Sequence, residues 1–244
     1  MSVIKAILFD FDNTLTDYVA LDLQGLRRVY TLTDEQGRED EFVAVAVEEI
    51  MACHAAIEQK RLDPLKLHDA RLRNTCVQLH LPWRDEYRDA YQRYFVENTV
   101  VYPEVLDVLR TLSETYVLGI VTNAYDAQEQ RRRIDHCGVG ALMRTVVIAG
   151  DSGYSKPDPA IFRLAACRLG VESNECIYVG DSERYDIAGA HAAGMATVKI
   201  TPNLKAMASS ADRMIGSISE LSTAISSLCN EASTHPLTNS PAVG

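Results

Sequence analysis

From residue 103 to residue 200 the chain alternates between short apolar runs and helical stretches, and this alternation limits the choice of fold more than any other feature. Tyr116–Val121, Thr145–Ile148 and Cys176–Val179 are largely apolar runs rich in Val and Ile, and Ala196–Ile200 reads as a further short strand. Helical segments separate them at Pro103–Glu114, Asp126–Cys137, Asp158–Leu169 and Ile187–Ala193. Asp158 followed by Pro159 is a helix start, because the carboxylate caps free N–H groups and proline needs none at the first position. Strands that are apolar throughout, rather than at alternate positions, are buried on both faces. Strand–helix repeats of this length imply βαβ units around a parallel sheet. Val3–Phe9 adds a first strand, Met214–Ile215 a short last one, and Ile218–Leu228 a final helix.

Residues 17–100 read differently. They contain two glycines, Gly25 and Gly37, no β-rich run, and apolar residues at helical spacing. Phe42, Val43, Ala46, Ile50 and Cys53 fit one helix face, and Leu65, Leu72, Cys76 and Leu79 another. The expected architecture is therefore α/β: a Rossmann-like parallel-sheet core, residues 1–16 and 101–230, with an inserted all-helical cap domain, residues 17–100. The segment 231–244 is rich in Ser, Thr, Pro and Asn and is expected to be a disordered tail.

Composition restricts the partners. Lys and Arg total 24 against 34 Asp and Glu, a net charge of −10, which argues against nucleic acid and against anionic membrane surfaces. The longest apolar runs, such as Val43–Val47, are far short of the roughly 18 residues a membrane span requires. The first apolar stretch ends at Asp10 and not at a small-residue cleavage site, so no secretory signal is expected. Six cysteines without a Cys-x-x-Cys pair suit reduced thiols and a cytoplasmic protein.

In parallel α/β sheets, ligands bind beyond the carboxyl ends of the strands. There the sequence places Asp10-Phe11-Asp12-Asn13-Thr14 after the first strand and Thr122-Asn123 after the second. Ser155-Lys156-Pro157-Asp158 leads into a capped helix, and Gly180-Asp181-Ser182-Glu183-Arg184-Tyr185-Asp186 follows another strand. Asp10 and Asp12 alone could merely begin a turn. Four acids, a lysine and a threonine from four strand ends make a site, and like charges that close need a cation or a proton between them.

Charge bookkeeping agrees. Residues 17–100 hold 16 acids and 11 bases, and the remainder 18 acids and 13 bases. Without Asp10, Asp12, Asp181 and Asp186 that remainder carries only one excess negative charge.

These motifs resemble those of the haloacid dehalogenase superfamily, in its phosphatase branch. Asp10-x-Asp12-x-Thr14 is similar to the first motif of that family, Thr122 to the second, Lys156 to the third, and Gly180-Asp181 through Asp186 to the fourth. Residues 17–100 stand where the family carries its type 1 cap. The resemblance implies a Mg²⁺-dependent phosphatase acting on a small phosphorylated metabolite, such as a phosphosugar, a sugar acid phosphate or a nucleoside monophosphate. It implies Asp10 as nucleophile forming an aspartyl-phosphate and Asp12 as general acid and base. Lys156 would bridge Asp10 and the phosphoryl group, and Thr122 and Asn123 would hold phosphate. The implied metal set is Asp10, Asp12 through its backbone carbonyl, and Asp181, with Asp186 acting through water or from behind these ligands. Asp12 favours phosphate esters over halides, since an alkoxide leaving group needs a proton. A monomer or homodimer is expected. The rival readings are a phosphomutase of the same family, a phospho-accepting receiver module and a non-catalytic binding protein.

Other features carry less. Arg131-Arg132-Arg133, with Glu129 and Asp135 nearby, reads as a solvated helix face. Trp83 and Tyr87, four apart, read as core on one helix. Gly138-Val139-Gly140 lacks the third glycine of a dinucleotide fingerprint. Tyr18 and His54 are candidates for substrate contact from the cap.

Overall fold

The computed structural model describes residues 3–201 and 208–234. The expected tail enters it only at its start, where a terminal helix runs on to Thr234, and residues 235–244 lie outside the described residues. Two compact units form. One comprises the chain up to Leu15, Tyr102–Asn123 and the chain from Ala141 onward; the other comprises Thr16–Val101 and Ala124–Gly140.

In the first unit, strands β1 (Ala6–Phe9), β2 (Val117–Thr122), β3 (Thr145–Ile148), β4 (Cys176–Gly180), β5 (Ala196–Ile200) and β6 (Arg213–Ile215) form one sheet in the order 3-2-1-4-5-6, every pairing parallel. The chain leaves β1 toward β2 on one side and later returns to β4 on the other. The two neighbours of β1 thus diverge in topology, which opens a crevice at its carboxyl end. Phe9 stands level with Ile120 and Val179, and β2 and β4 run on past it to Thr122 and Gly180, flanking the residues that follow β1. Ala6, Leu8, Val121, Val147, Cys176 and Tyr178 share one face and pack with Ile161, Phe162 and Ala165 of helix Pro159–Leu169. Ile7, Phe9, Ile120, Ile177 and Val179, of the other parity, are equally buried. Burial on both faces is why these strands read as continuous apolar runs.

Asp158 caps the Pro159–Leu169 helix as expected, accepting from the Ala160 N–H at 2.8 Å, and that helix ends at Gly170 in the left-handed conformation, φ +71°. After β4 the chain is wound into a π-turn, Glu183–Ile187, that runs into helix Ala188–Ala193. The Ser182 carbonyl accepts from both the Asp186 and the Ile187 N–H, which widens the turn.

The second unit holds helices α1 (Tyr18–Tyr30), α2 (Glu39–Glu58), α3 (Leu67–Gln78) and α4 (Asp85–Glu97) around Leu26, Val29, Phe42, Leu72, Tyr87, Tyr91 and Phe95. Trp83 precedes α4 rather than lying on it. Its ring meets Tyr87 edge-on and carries Arg73 at 4.2 Å, while Tyr87 alone is fully buried.

The boundary differs from the sequence reading at one segment. Helix Ala127–His136 clusters with the helical unit and packs on α4, although the strand–helix alternation groups it with the core. Arg133 supplies the reason, and it corrects the solvated-face reading for that residue. Arg133 is 1% exposed, lies 4.3 Å over the Phe95 ring and donates to Thr99 Oγ1 at 3.1 Å and Gln130 Oε1 at 2.8 Å. A guanidinium over an aromatic face, with its N–H groups satisfied, can be buried.

A second buried guanidinium ties α1 to α3. Arg71 is fully buried and grips both Asp22 oxygens, at 2.7 and 2.9 Å, while its Nε donates to the Ala46 carbonyl at 2.7 Å. The Tyr91 hydroxyl donates to Asp22 as well. Removing one partner leaves the other charge buried and unpaired, at a cost of about 3–5 kcal/mol. Asp22→Ala is expected to lower unfolding free energy by that amount in urea titration. A change below about 1 kcal/mol would contradict this account of the pair.

Candidate active site

Asp10 is the first residue beyond β1, its N–H bonded to the Val179 carbonyl at 2.9 Å, which aims the side chain out of the strand end. It is 7% exposed. Lys156, 4% exposed, reaches it from the segment between β3 and the Pro159 helix, Nζ to Asp10 Oδ1 at 2.6 Å. The same ammonium meets Asp186 Oδ1 at 2.7 Å. Asp186 is fully buried, and its second oxygen accepts from the Ser182 N–H at 2.9 Å.

Gly180 makes that approach possible. A Cβ at this position would lie 2.5–2.6 Å from the Asp186 carboxylate and Cβ, so no side chain fits. Asp181, partly buried, completes the cluster: single oxygens of Asp10, Asp181 and Asp186 lie within 4.8 Å of one another.

The electrostatics of this cluster are unbalanced. Burial pushes the Asp10 carboxyl up to about 8; Lys156 opposes the shift, and the charges of Asp186 and Asp12 add to it. Burial and then Asp186 push Asp181 up to about 6. Lys156 is held above its ordinary range: burial works against its charge, but Asp10 and Asp186 outweigh burial. One ammonium does not offset this many carboxylates, so the site holds onto protons unless another cation enters. Three convergent carboxylate oxygens with unmet negative charge fit a hard divalent ion such as Mg²⁺, which takes oxygen ligands and retains waters.

The remaining expected residues are placed as follows. Asp12 is half-buried, two positions beyond Asp10, and is followed by Asn13 at φ +60°, so the chain turns sharply after the pair. Thr122 is 1% exposed and ends β2. Both polar atoms of the Asn123 amide meet the Lys156 backbone, Nδ2 donating to the Lys156 carbonyl at 3.0 Å and Oδ1 accepting from its N–H at 2.9 Å. The Lys156–Pro157 peptide is cis. Tyr18 and His54 both lie in the helical unit, Tyr18 edge-on to Phe95 and His54 Nδ1 3.4 Å from the Tyr125 hydroxyl.

Sequence reasoning missed Tyr178. Its hydroxyl lies inside the cluster, 3.3 Å from Lys156 Nζ and 3.2 Å from Asp186 Oδ1, and donates to the Val121 carbonyl at 2.9 Å. A phenol within a fully buried parallel strand was the available signal, because a buried hydroxyl needs a partner.

Comparison with known proteins agrees with this arrangement. The family model described as haloacid dehalogenase-like hydrolase matches residues 4–194. Glyceraldehyde 3-phosphate phosphatase of Methanopyrus kandleri is 32% identical over 81% of this chain and 84% of its own length. Human N-acylneuraminate-9-phosphatase is 28% identical over 83% of this chain and 85% of its own. The magnesium-bound structure of the HAD-hydrolase YfnB from Bacillus subtilis superposes with a TM-score of 0.74 at 21% identity, covering 92% of this chain and 99% of that one, and shares the fold. With its motifs gathered at the ends of four parallel strands, the chain belongs to the haloacid dehalogenase-like hydrolases, in their phosphatase branch.

Proposed function

We propose that this protein is a Mg²⁺-dependent phosphatase that hydrolyses a small phosphate monoester, of the phosphosugar, sugar acid phosphate or nucleoside monophosphate class, through an aspartyl-phosphate on Asp10. The observation that carries the reading is the Lys156 ammonium, held between Asp10 at 2.6 Å and Asp186 at 2.7 Å within a buried carboxylate cluster. Phosphoryl transfer is mostly positioning and charge neutralisation, and this cluster supplies both.

A carboxylate oxygen of Asp10 attacks phosphorus, and the ester P–O bond breaks. Asp12 gives its proton to the departing alkoxide. Asp12, now a base, takes a proton from water; the water oxygen attacks phosphorus, and inorganic phosphate leaves with Asp10 regenerated. Lys156 offsets charge on Asp10 and on the phosphoryl oxygens. Asp10, Asp181 and Asp186 would hold the ion, with Asp12 contributing from beside them; the bound ion would supply positive charge at the phosphoryl group. With all four acids ionised, they and Lys156 sum to −3, which would repel a phosphate dianion; a divalent cation reduces the excess to −1, and the proton that Asp12 carries in the first step removes the rest.

The substrates in the relatives' names, glyceraldehyde 3-phosphate and N-acylneuraminate 9-phosphate, support a phosphorylated sugar. No described helix is long and apolar enough to cross a membrane. The test is inorganic phosphate release, with Mg²⁺, from an aryl phosphate and a panel of phosphorylated sugars, sugar acids and nucleotides. Steady release, with one class turned over at least about tenfold faster than the rest, is expected. Transfer to a second sugar hydroxyl without net release would replace the reading with a phosphomutase.

A further inference from the structure

The Lys156 ammonium has three N–H donors and, among the described residues, three acceptors: Asp10 Oδ1 at 2.6 Å, Asp186 Oδ1 at 2.7 Å and the Tyr178 hydroxyl at 3.3 Å. Two of these are carboxylates whose charge the proposed reaction uses. The third belongs to a residue to which the mechanism above gives no part. Tyr178 is fully buried at the middle of β4, with its ring edge-on to Phe162 at 4.8 Å. Its single proton has the Val121 carbonyl at 2.9 Å, nearer than Asp186 at 3.2 Å. That bond moors the hydroxyl to β2 and leaves an oxygen lone pair facing the ammonium.

The main chain of Lys156 is moored as well. It belongs to an irregular segment that no strand or helix fixes, yet Asn123, at the end of β2, holds both its N–H and its carbonyl. The lysine is therefore anchored at both ends to the same strand, through Asn123 at the backbone and through Tyr178 and the Val121 carbonyl at the tip. A flexible four-carbon side chain carrying a point charge gains accuracy from such anchors, and displacement of a charged group by about 1 Å can cost on the order of a hundredfold in rate.

We propose that Tyr178 is a positioning residue for the phosphoryl-transfer reaction, acting through Lys156: its hydroxyl, moored to the Val121 carbonyl, fixes the third N–H of the ammonium so that the other two stay on Asp10 and Asp186. The inference rests on the phosphatase reading and adds a residue to it. Tyr178→Phe keeps the ring and its contact with Phe162 and removes only the hydroxyl.

The experiment compares the parent chain, Tyr178→Phe, Lys156→Met and the double variant, with an aryl phosphate as substrate, at a temperature below the measured melting temperature of each. For Tyr178→Phe we expect kcat to fall about tenfold or more, with KM and the half-saturating Mg²⁺ concentration each within about twofold of the parent. In the Lys156→Met background the same change lowers the residual rate by less than about twofold, because the group it positions is gone. A kcat for Tyr178→Phe within twofold of the parent overturns the proposal. So does an equal fall in both backgrounds. If Lys156→Met has no measurable rate, the Mg²⁺ requirement decides: an unchanged requirement with reduced kcat supports action through Lys156, and an increase beyond about fivefold assigns the hydroxyl to Asp186 instead and overturns it. A parent chain that releases no phosphate from any substrate overturns the phosphatase reading, a result distinct from these.

Discussion

Asp10→Asn is expected to leave a folded protein whose phosphate release is lower by on the order of 10⁴-fold or more. The amide has the shape of the carboxylate but neither its charge nor its nucleophilic oxygen. Lys156 then keeps Asp186 as its ionic partner at 2.7 Å, so the ammonium is not left unpaired. The change also removes a charge that burial and the neighbouring acids disfavour, as the Asp10 carboxyl at about 8 indicates. Stability in urea is therefore expected to equal or exceed that of the parent, unlike the loss expected for Asp22→Ala in the helical unit. Phosphate release followed beside a denaturation curve checks both halves. A variant within tenfold of the parent rate would remove Asp10 from the role of nucleophile.

Chelation is the second large effect. EDTA is expected to abolish turnover and added Mg²⁺ to restore it. The same ion should raise the melting temperature, since a ligand at a hundred times its Kd stabilises the folded state by about 2.7 kcal/mol. The pH dependence has a definite sign. Asp10 and Asp181 are pushed above the ordinary value of 3.8, to about 8 and about 6. The folded, metal-free protein thus binds more protons than the unfolded chain between pH 3.8 and 8, and loses stability as pH rises through that window. Protons and Mg²⁺ compete for the same oxygens, so the Mg²⁺-induced rise in melting temperature should be larger at pH 8 than at pH 5. Differential scanning calorimetry at the two pH values measures this without any substrate. A shift that is absent, or larger at pH 5, would contradict the carboxylate site for the ion.

The strand ends at Asp10 and Asp181 were legible because β1 and β4, buried on both faces, are free of charged residues along their length. The first charged residue after such a run therefore marks the rim of the sheet. Asp10 follows Phe9 directly and Asp181 follows Gly180. The helical insert was legible for a similar reason, since residues 17–100 keep helical spacing, hold only two glycines and lack β-rich runs. What local pattern left open were contacts with partners far along the chain. Arg133, within a run of arginines, has the composition of a solvated face, yet Phe95 and Thr99, more than thirty residues away, make its burial favourable. Asn123 follows the threonine of the second motif and suits phosphate by position, but its amide closes on the Lys156 backbone, 33 residues on.

Periodicity and composition are local properties, and they suffice for the alternation of the core, the acids at its strand ends and the types of side chain available for chemistry. Tertiary structure alone decided which oxygens converge, that the segment 124–140 joins the helical unit, and that Tyr178 and Asn123 brace Lys156. Those outcomes depend on strand order and register, which set distances of 2.6–3.3 Å between residues far apart in sequence and which no local pattern encodes.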